Sequence, residues 1–338
     1  MSPCRLASKA VQLEYFIGMI GTVAFAATAV LAVVPRGIDL FGACVMGVVT
    51  AIGGGTGLSA TTCALYGIDD LQLSAVVATT DNGGSTGAIR RWANCIAWGD
   101  LRHVINSLSD MTLPTLQTLL FEHRFEKSEG ELGGHSLGNI ILRALETVAP
   151  RPQSALDLVT HWLRITARII PMSEQPAELV AYRGGEVVTG EEEVDEMDEL
   201  PDKLAVQPEV PGTPEAIAAI EEADLIVLGP GSVMTSVVPS LLVPDLVKRL
   251  QNSKAKKVWV QNLGREGGPM GTLTPSQLHD WLRTILGFEY CDVVLADESL
   301  DMFGVEIPVM QRDLKSEQDP THYGREPLET AFRELLAG

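Results

Sequence analysis

Three glycine-rich turns carry residue types suited to holding phosphate: Gly53-Gly54-Gly55-Thr56-Gly57, Asp81-Asn82-Gly83-Gly84-Ser85-Thr86-Gly87 and Gly229-Pro230-Gly231-Ser232. Glycine lets a ligand approach the main chain, and N–H groups at a helix start present partial positive charge to an anion. Thr56, Ser85, Thr86 and Ser232 add hydroxyl donors. Any one of these loops is explained by a tight turn alone; three in one chain point to a phosphorylated or nucleotide ligand. None is a strict nucleotide fingerprint. GGGTGLS lacks the lysine of a Walker loop, and the G-x-G-x-x-G register is not met, which disfavours ordinary P-loop hydrolysis and NAD dehydrogenation.

Two further segments open predicted helices. In Gly99-Asp100-Leu101-Arg102-His103, Asp100 is suited to N-capping and Arg102 to reaching a phosphate. In His135-Ser136-Leu137-Gly138-Asn139, His135 suits either phosphate binding and acid–base work or a plain structural hydrogen bond. No convincing Ser/His/Asp order is present, which disfavours hydrolysis by a serine nucleophile. His103, His123, His161, His279 and His322 show no metal-ligand spacing. The five cysteines (Cys4, Cys44, Cys63, Cys95, Cys291) lie far apart without a CxxC pair. That pattern argues against a disulfide framework or zinc knuckle and for a reducing, cytoplasmic compartment.

The elements that must position these loops are legible as strand–loop–helix units. Cys44 to Ile52 is an apolar run ending in the first glycine loop, followed by a helical stretch from Leu58 to Tyr66; Leu71 to Thr79 runs into the second loop. Asp224 to Leu228 precedes the third, and Lys257 to Gln261 and Asp292 to Ala296 have the same form. Helices are predicted at Leu101–Leu108, Leu116–Phe125, Ser136–Val148, Ala155–Leu163 and Thr213–Glu222, the last with a Thr-Pro-Glu start. Glu178 to Glu191 reads as a hairpin around Gly184-Gly185. The fold class expected is α/β: a mainly parallel, Rossmann-like sheet flanked by helices, with a hairpin and acidic insertion near 175–212.

Composition bounds the function further. The 338 residues are 46% hydrophobic and 20% charged, an ordinary globular balance. The 25 Lys+Arg against 44 Asp+Glu leave a net charge of −19, which disfavours a nucleic-acid partner. Glu186 to Asp224 holds 14 acidic residues and one basic residue, Lys203, and reads as a solvated, self-repelling loop. Tyr15 to Val34 is a 20-residue stretch without charge. At roughly 30 Å it suits a transmembrane helix, with a signal-type segment and a buried helix as alternatives. The expected organisation is an extension over residues 1–43 and one α/β domain over 44–338.

Taken in order, the segments AIGGGTGLS (51–59), VATTDNGGSTGAIR (77–90), AWGDLRHVINSL (97–108), FEHRF (121–125), GGHSLGNIILRAL (133–145), IIPMSEQPAELVA (169–181), ADLIVLGPGSVMTSVVPSLLVP (223–244) and VQNLGREGG (260–268) resemble the CofD/YvcK family. DNGGSTG, AWGDLR and NLGRE place the resemblance nearest the enterobacterial members of its gluconeogenesis factor branch. Separately, residues 15–56 resemble a fragment of the bacterial TRIC-like membrane family, meeting the first resemblance at GGGT. This suggests a fusion at that shared motif and a tether of the α/β domain to the inner membrane through residues 15–34.

The resemblance implies two activities. CofD proper transfers a phospholactyl group from a GDP-linked donor to a deazaflavin with magnesium. YvcK-like proteins are regulators that bind UDP-sugars and support cell shape and envelope synthesis on gluconeogenic carbon. Carried onto this chain, Gly53, Gly54, Gly55, Thr56 and Gly57 cradle a diphosphate, with Thr56 at a position tied to UDP-sugar binding. Asp81, Asn82, Gly83, Gly84, Ser85, Gly229, Gly231 and Ser232 complete the pocket, and Asp100, Arg102, His135 and Asn139 join the candidate ligand-binding set. The expected partners are a UDP-sugar or other nucleotide diphosphate, envelope-synthesis proteins and a second copy in a homo-oligomer, with magnesium accompanying the nucleotide. The chain departs from the family at Asn82, where the usual pattern has a second aspartate, and at Ser240, where it has asparagine. Loss of a carboxylate at 82 removes a charge and a metal-ligand candidate, which turns the reading toward the regulator.

Overall fold

The structure, a computed structural model, describes residues 47–111 and 115–337. The candidate membrane helix 15–34 lies outside the described residues, and among those described no helix is long and apolar enough to cross a membrane. Gly47–Gly338 forms one compact unit.

The chain runs β1 (Gly47–Gly53), α1 (Gly55–Tyr66), β2 (Leu71–Val77), α2 (Gly84–Arg90), α3 (Gly99–Asp110), α4 (Leu116–Glu122), α5 (Leu137–Val148), α6 (Pro152–Trp162) and β3 (Arg168–Pro171). An insertion follows, with β4 (Glu178–Arg183), β5 (Glu186–Thr189), α7 (Glu191–Asp195) and β6 (Lys203–Gln207). The second half contains α8 (Pro214–Glu222), β7 (Leu225–Leu228), α9 (Pro244–Asn252), β8 (Lys256–Val260), α10 (Pro275–Leu286), β9 (Val293–Asp297), β10 (Val309–Arg312) and α11 (Arg325–Ala337).

Seven strands form a wholly parallel sheet in the order β10-β9-β8-β7-β1-β2-β3. Successive residues of β1 alternate between the sheet's two faces: Val49 and Ala51 enter one apolar core with α1, α3 and α11, and Ile52 enters the other with α8, α9 and α10. Thr50, buried between them, donates its hydroxyl to the Ala219 carbonyl at 2.7 Å. The chain builds outward from β1 through β2 to β3, then returns to the other side of β1 and builds outward again from β7. The strand order therefore reverses between β1 and β7, and the loops leaving these strands flank the crevice where open α/β sheets bind ligands.

The acidic tract departs from its expected form. The hairpin is present, with Arg183 opposite Glu186 across the Gly184-Gly185 turn, but β6 pairs with β4 as well, giving a three-stranded antiparallel sheet. Val194, Leu204, Val206, Ala216 and Ile220 are buried in a main core. Apolar residues at strand and helix spacing anchor this segment despite its charge, so it is ordered structure and not a solvated loop. Two helix starts also differ. Asp100 is the second residue of α3, whose N-cap is Trp98, and Thr213 precedes α8 without a side-chain capping bond.

Candidate functional site

The loops after β1 and β7 stack against each other. Gly229 N–H donates to the Ile52 carbonyl at 3.0 Å, and Thr61 Oγ1 donates to the Gly229 carbonyl at 3.0 Å. Gly54 and Gly57 are required by close approach: a side-chain carbon at Gly54 would run into the Asp100 carboxylate, and one at Gly57 into the Pro230 carbonyl. Gly55 turns the chain into α1 at φ +59°, a conformation that favours glycine. Thr56 is exposed beside them. Ser232 leads into a π-helical turn over Val233–Val237, a feature frequent at functional sites.

Carboxylates gather around these loops from four segments. Asp81 accepts from the Gly83 N–H at 2.7 Å. Asp100, which accepts from the Gly55 N–H, is pushed up to about 7 by burial and by Asp81. Glu191, at the start of α7, is raised well above the ordinary carboxylate range by burial, then by Asp100, Asp81 and Asp195. Asp195 accepts from Ser232 Oγ at 3.2 Å and from Thr235 Oγ1 at 3.1 Å. Glu266 accepts from the Val233 N–H at 2.9 Å and from Asn262 Nδ2 at 2.8 Å; Asn262 also bonds Gly231 through both its N–H and its carbonyl. The insertion thus sends its acidic helix to the crevice.

These oxygens are the donor type that magnesium prefers. Among the described residues no group of three carboxylate, imidazole or thiol side chains could hold a metal ion. Magnesium is usually held by one or two carboxylates, with the remaining positions filled by water and substrate phosphates. The donor set suits a cation arriving with a diphosphate, which Asp81 would hold.

A buried polar chain runs beside the acids. Arg102 Nε donates to Asn139 Oδ1 at 3.1 Å, and Asn139 Nδ2 donates to Ser85 Oγ at 3.3 Å and to Thr86 Oγ1 at 3.4 Å. Ser85 Oγ also accepts from the Ser136 N–H at 3.2 Å and stands 3.2 Å from His135 Nδ1. Every direction follows from Arg102, which has no acceptor. Its bond fixes the Asn139 amide orientation, and Asn139 and Ser136 both donate to the serine oxygen. The serine O–H therefore donates to Nδ1, and the network assigns the imidazole proton to Nε2. Arg102, Asn139 and Ser85 are 5%, 1% and 8% exposed, so this support is packed in place. Ser136, not His135, caps α5, accepting from the Asn139 N–H at 3.2 Å.

The structure brings Gly53–Gly57, Asp100, Gly229, Gly231 and Ser232 to one crevice, with Asp81 at its edge. Asn82 faces away from a metal role and bonds α7, while Gly83 lies against Glu192. Gly84, Ser85, His135, Asn139 and Arg102 form the adjoining polar flank. A cavity of about 560 Å³ adjoins the crevice through Asn262 and Glu266, with Phe303 91% exposed on its wall. Sequence reasoning missed Glu191 and Asp195, hidden in the charge block, and Asn262, Glu266 and Thr235. The last three sit inside quoted motifs, but their roles depend on contacts with distant loops.

The family model described as 2-phospho-L-lactate transferase CofD matches residues 49–335, nearly the whole described unit. The chain belongs to the CofD family. Within this family it is 42% identical over 290 residues to a Vibrio cholerae protein named "Putative gluconeogenesis factor", covering 85% of this chain and 97% of that one. A Pasteurella multocida protein of the same name is 40% identical over 291 residues, covering 85% and 93%. The crystal structure of a UPF0052-family protein from Bacillus halodurans superposes with a TM-score of 0.78 at 27% identity, covering 84% of this chain and 97% of that one. A second family model, described as glycine transporter, matches residues 15–57, almost entirely outside the described residues.

Proposed function

We propose that this CofD-family chain is a regulator that binds a UDP-sugar in the crevice between β1 and β7 and conveys its level to envelope-synthesis proteins, adjusting cell shape to carbon supply. The observation that carries this reading is the stacking of Gly53–Gly57 on Gly229–Ser232 at the strand-order reversal. The Gly229, Gly231 and Gly55 N–H groups are bonded within the protein, so the main-chain donors offered to a diphosphate are those at the start of α1 around Thr56, beside a cavity of about 560 Å³ with an exposed aromatic ring for a base to stack on. Asp81 would hold a magnesium ion arriving with the diphosphate, which would supply positive charge among these acids. Two features lean toward binding without turnover: Asn82 holds α7 instead of a metal, and the relatives at 40% identity and above carry the gluconeogenesis factor name.

One observation favours a second reading, a phospholactyl-type transferase with a GDP-linked donor. Asp100, held at about 7, is poised as a general base in the crevice. In that reaction an acceptor hydroxyl attacks the donor phosphorus, Asp100 takes the hydroxyl proton, and the nucleotide leaves with the phosphate it retains. Incubation with a GDP-linked phospholactyl donor, deazaflavin acceptor and magnesium separates the two. The regulator gives no phosphodiester product; product formation that is lost in Asp100→Asn would establish the transferase instead.

A further inference from the structure

We propose that the cavity between helix α2 and the 124–135 segment is a second ligand site, which takes the phosphate dianion of a small metabolite other than the nucleotide. It is an open pocket of about 500 Å³, and its walls include Ser85, Arg124, Glu126, Lys127 and His135. Two cations against one carboxylate leave this lining net positive, in a chain whose formal charge is −19. The crevice has the opposite character, with Asp81, Asp100 and Glu191 gathered around it. A diphosphate there needs a metal cation; a bare oxyanion here does not.

The wall is built before any ligand arrives. Residues 124–136 fold back on themselves: Phe125 N–H donates to the His135 carbonyl and Gly134 N–H to the Phe125 carbonyl, both at 3.0 Å. Arg124 Nη1 donates to the Gly134 carbonyl at 2.7 Å, which fixes its guanidinium at the wall and leaves other N–H groups to donate. His135 is held by the chain from Arg102 through Asn139 and Ser85, which places its proton on Nε2 and makes the ring a donor. An imidazole, a guanidinium and an ammonium around one space match a tetrahedral dianion better than a neutral sugar. His135, expected in the nucleotide pocket, belongs to this second site.

Calorimetric titration of the full chain with inorganic phosphate, with lactate as a carboxylate comparison, tests the assignment. Phosphate should bind saturably and more tightly than lactate. Lys127→Ala and the Arg124→Ala/Lys127→Ala pair should each weaken it, the pair by at least about tenfold. UDP-N-acetylglucosamine affinity should stay within about twofold in both, and Gly54→Val should show the converse. Lys127→Ala leaves the Arg124–Gly134 bond in place, so its result does not depend on the 124–135 segment staying folded without that arginine. Absence of saturable phosphate binding, equal binding in the pair, lactate binding as tightly as phosphate, or competition between phosphate and the UDP-sugar would overturn the proposal. Phosphate binding that behaves as stated while no nucleotide binds would overturn the nucleotide reading alone.

Discussion

The Asn82 amide donates to the Glu193 carboxylate at 2.8 Å, while its carbonyl accepts from the Glu192 N–H at 3.0 Å. This pair of bonds ties the second glycine loop to the acidic insertion. It also gives a physical reason for an amide where the family pattern has a carboxylate, since an aspartate here would face Glu193 charge to charge. Asn82→Asp should loosen α7 from the loop at a cost of about 1 kcal/mol. Amide hydrogen exchange over residues 190–196 should then speed up while exchange in β1 stays unchanged; equal protection in both proteins would show that the bonds contribute nothing.

Asp100 sets a pH dependence. Its folded value of about 7 lies above the ordinary 3.8, so between these values the folded protein keeps a proton that the unfolded chain has lost. This contribution to stability is fully present below about pH 4 and is lost as pH rises to about 7. Asp100→Asn cannot ionise and should be more stable than the parent at pH 8 by on the order of a few kcal/mol, and so melt at a higher temperature, with near-equal stability at pH 4. Thermal unfolding across that range checks this. A variant less stable than the parent at pH 8 would show that the carboxylate is favourably solvated in place.

Ser85→Ala should break the chain that orients His135. Asn139 Nδ2 and the Ser136 N–H lose an acceptor in a buried place, costing about 1–3 kcal/mol. The imidazole also loses the bond that fixes its tautomer. Nitrogen chemical shifts of His135 should move from a defined Nε2–H form toward a tautomer mixture; unchanged shifts would mean another group holds the ring.

Gly54→Val places a branched side chain against the Asp100 carboxylate and Ser236 and should abolish nucleotide binding. Thr56→Ala, at an exposed position, should leave the melting temperature unchanged and weaken the ligand by about 0.5–1.5 kcal/mol. Undiminished affinity in Thr56→Ala would remove that hydroxyl from the site.

Much of this architecture is legible in the chain itself, because β-branched runs ending in glycine loops encode a buried parallel strand and its turn in contiguous residues. The glycine loops that meet at the crevice are legible for the same reason. The acidic insertion misleads because charge count outweighs the few apolar residues, Val194, Leu204 and Val206, that anchor it. The edge strands β3 and β10 have four residues each, too few for a pattern. Asp100 reads as a helix cap because its actual environment comes from Asp81, Gly55 and Glu191, which no local spacing reveals. The donor role of His135 likewise depends on Arg102 and Asn139, residues distant in sequence that meet only in the fold.

The central claim is that the β1/β7 crevice binds a UDP-sugar. Calorimetric titration of the full chain with UDP-N-acetylglucosamine, in parallel with GDP plus magnesium, tests it most directly. Saturable binding of the UDP-sugar, stronger than GDP and lost in Gly54→Val, is the predicted result. Preference for GDP with magnesium, or UDP-sugar binding that survives Gly54→Val, would contradict it.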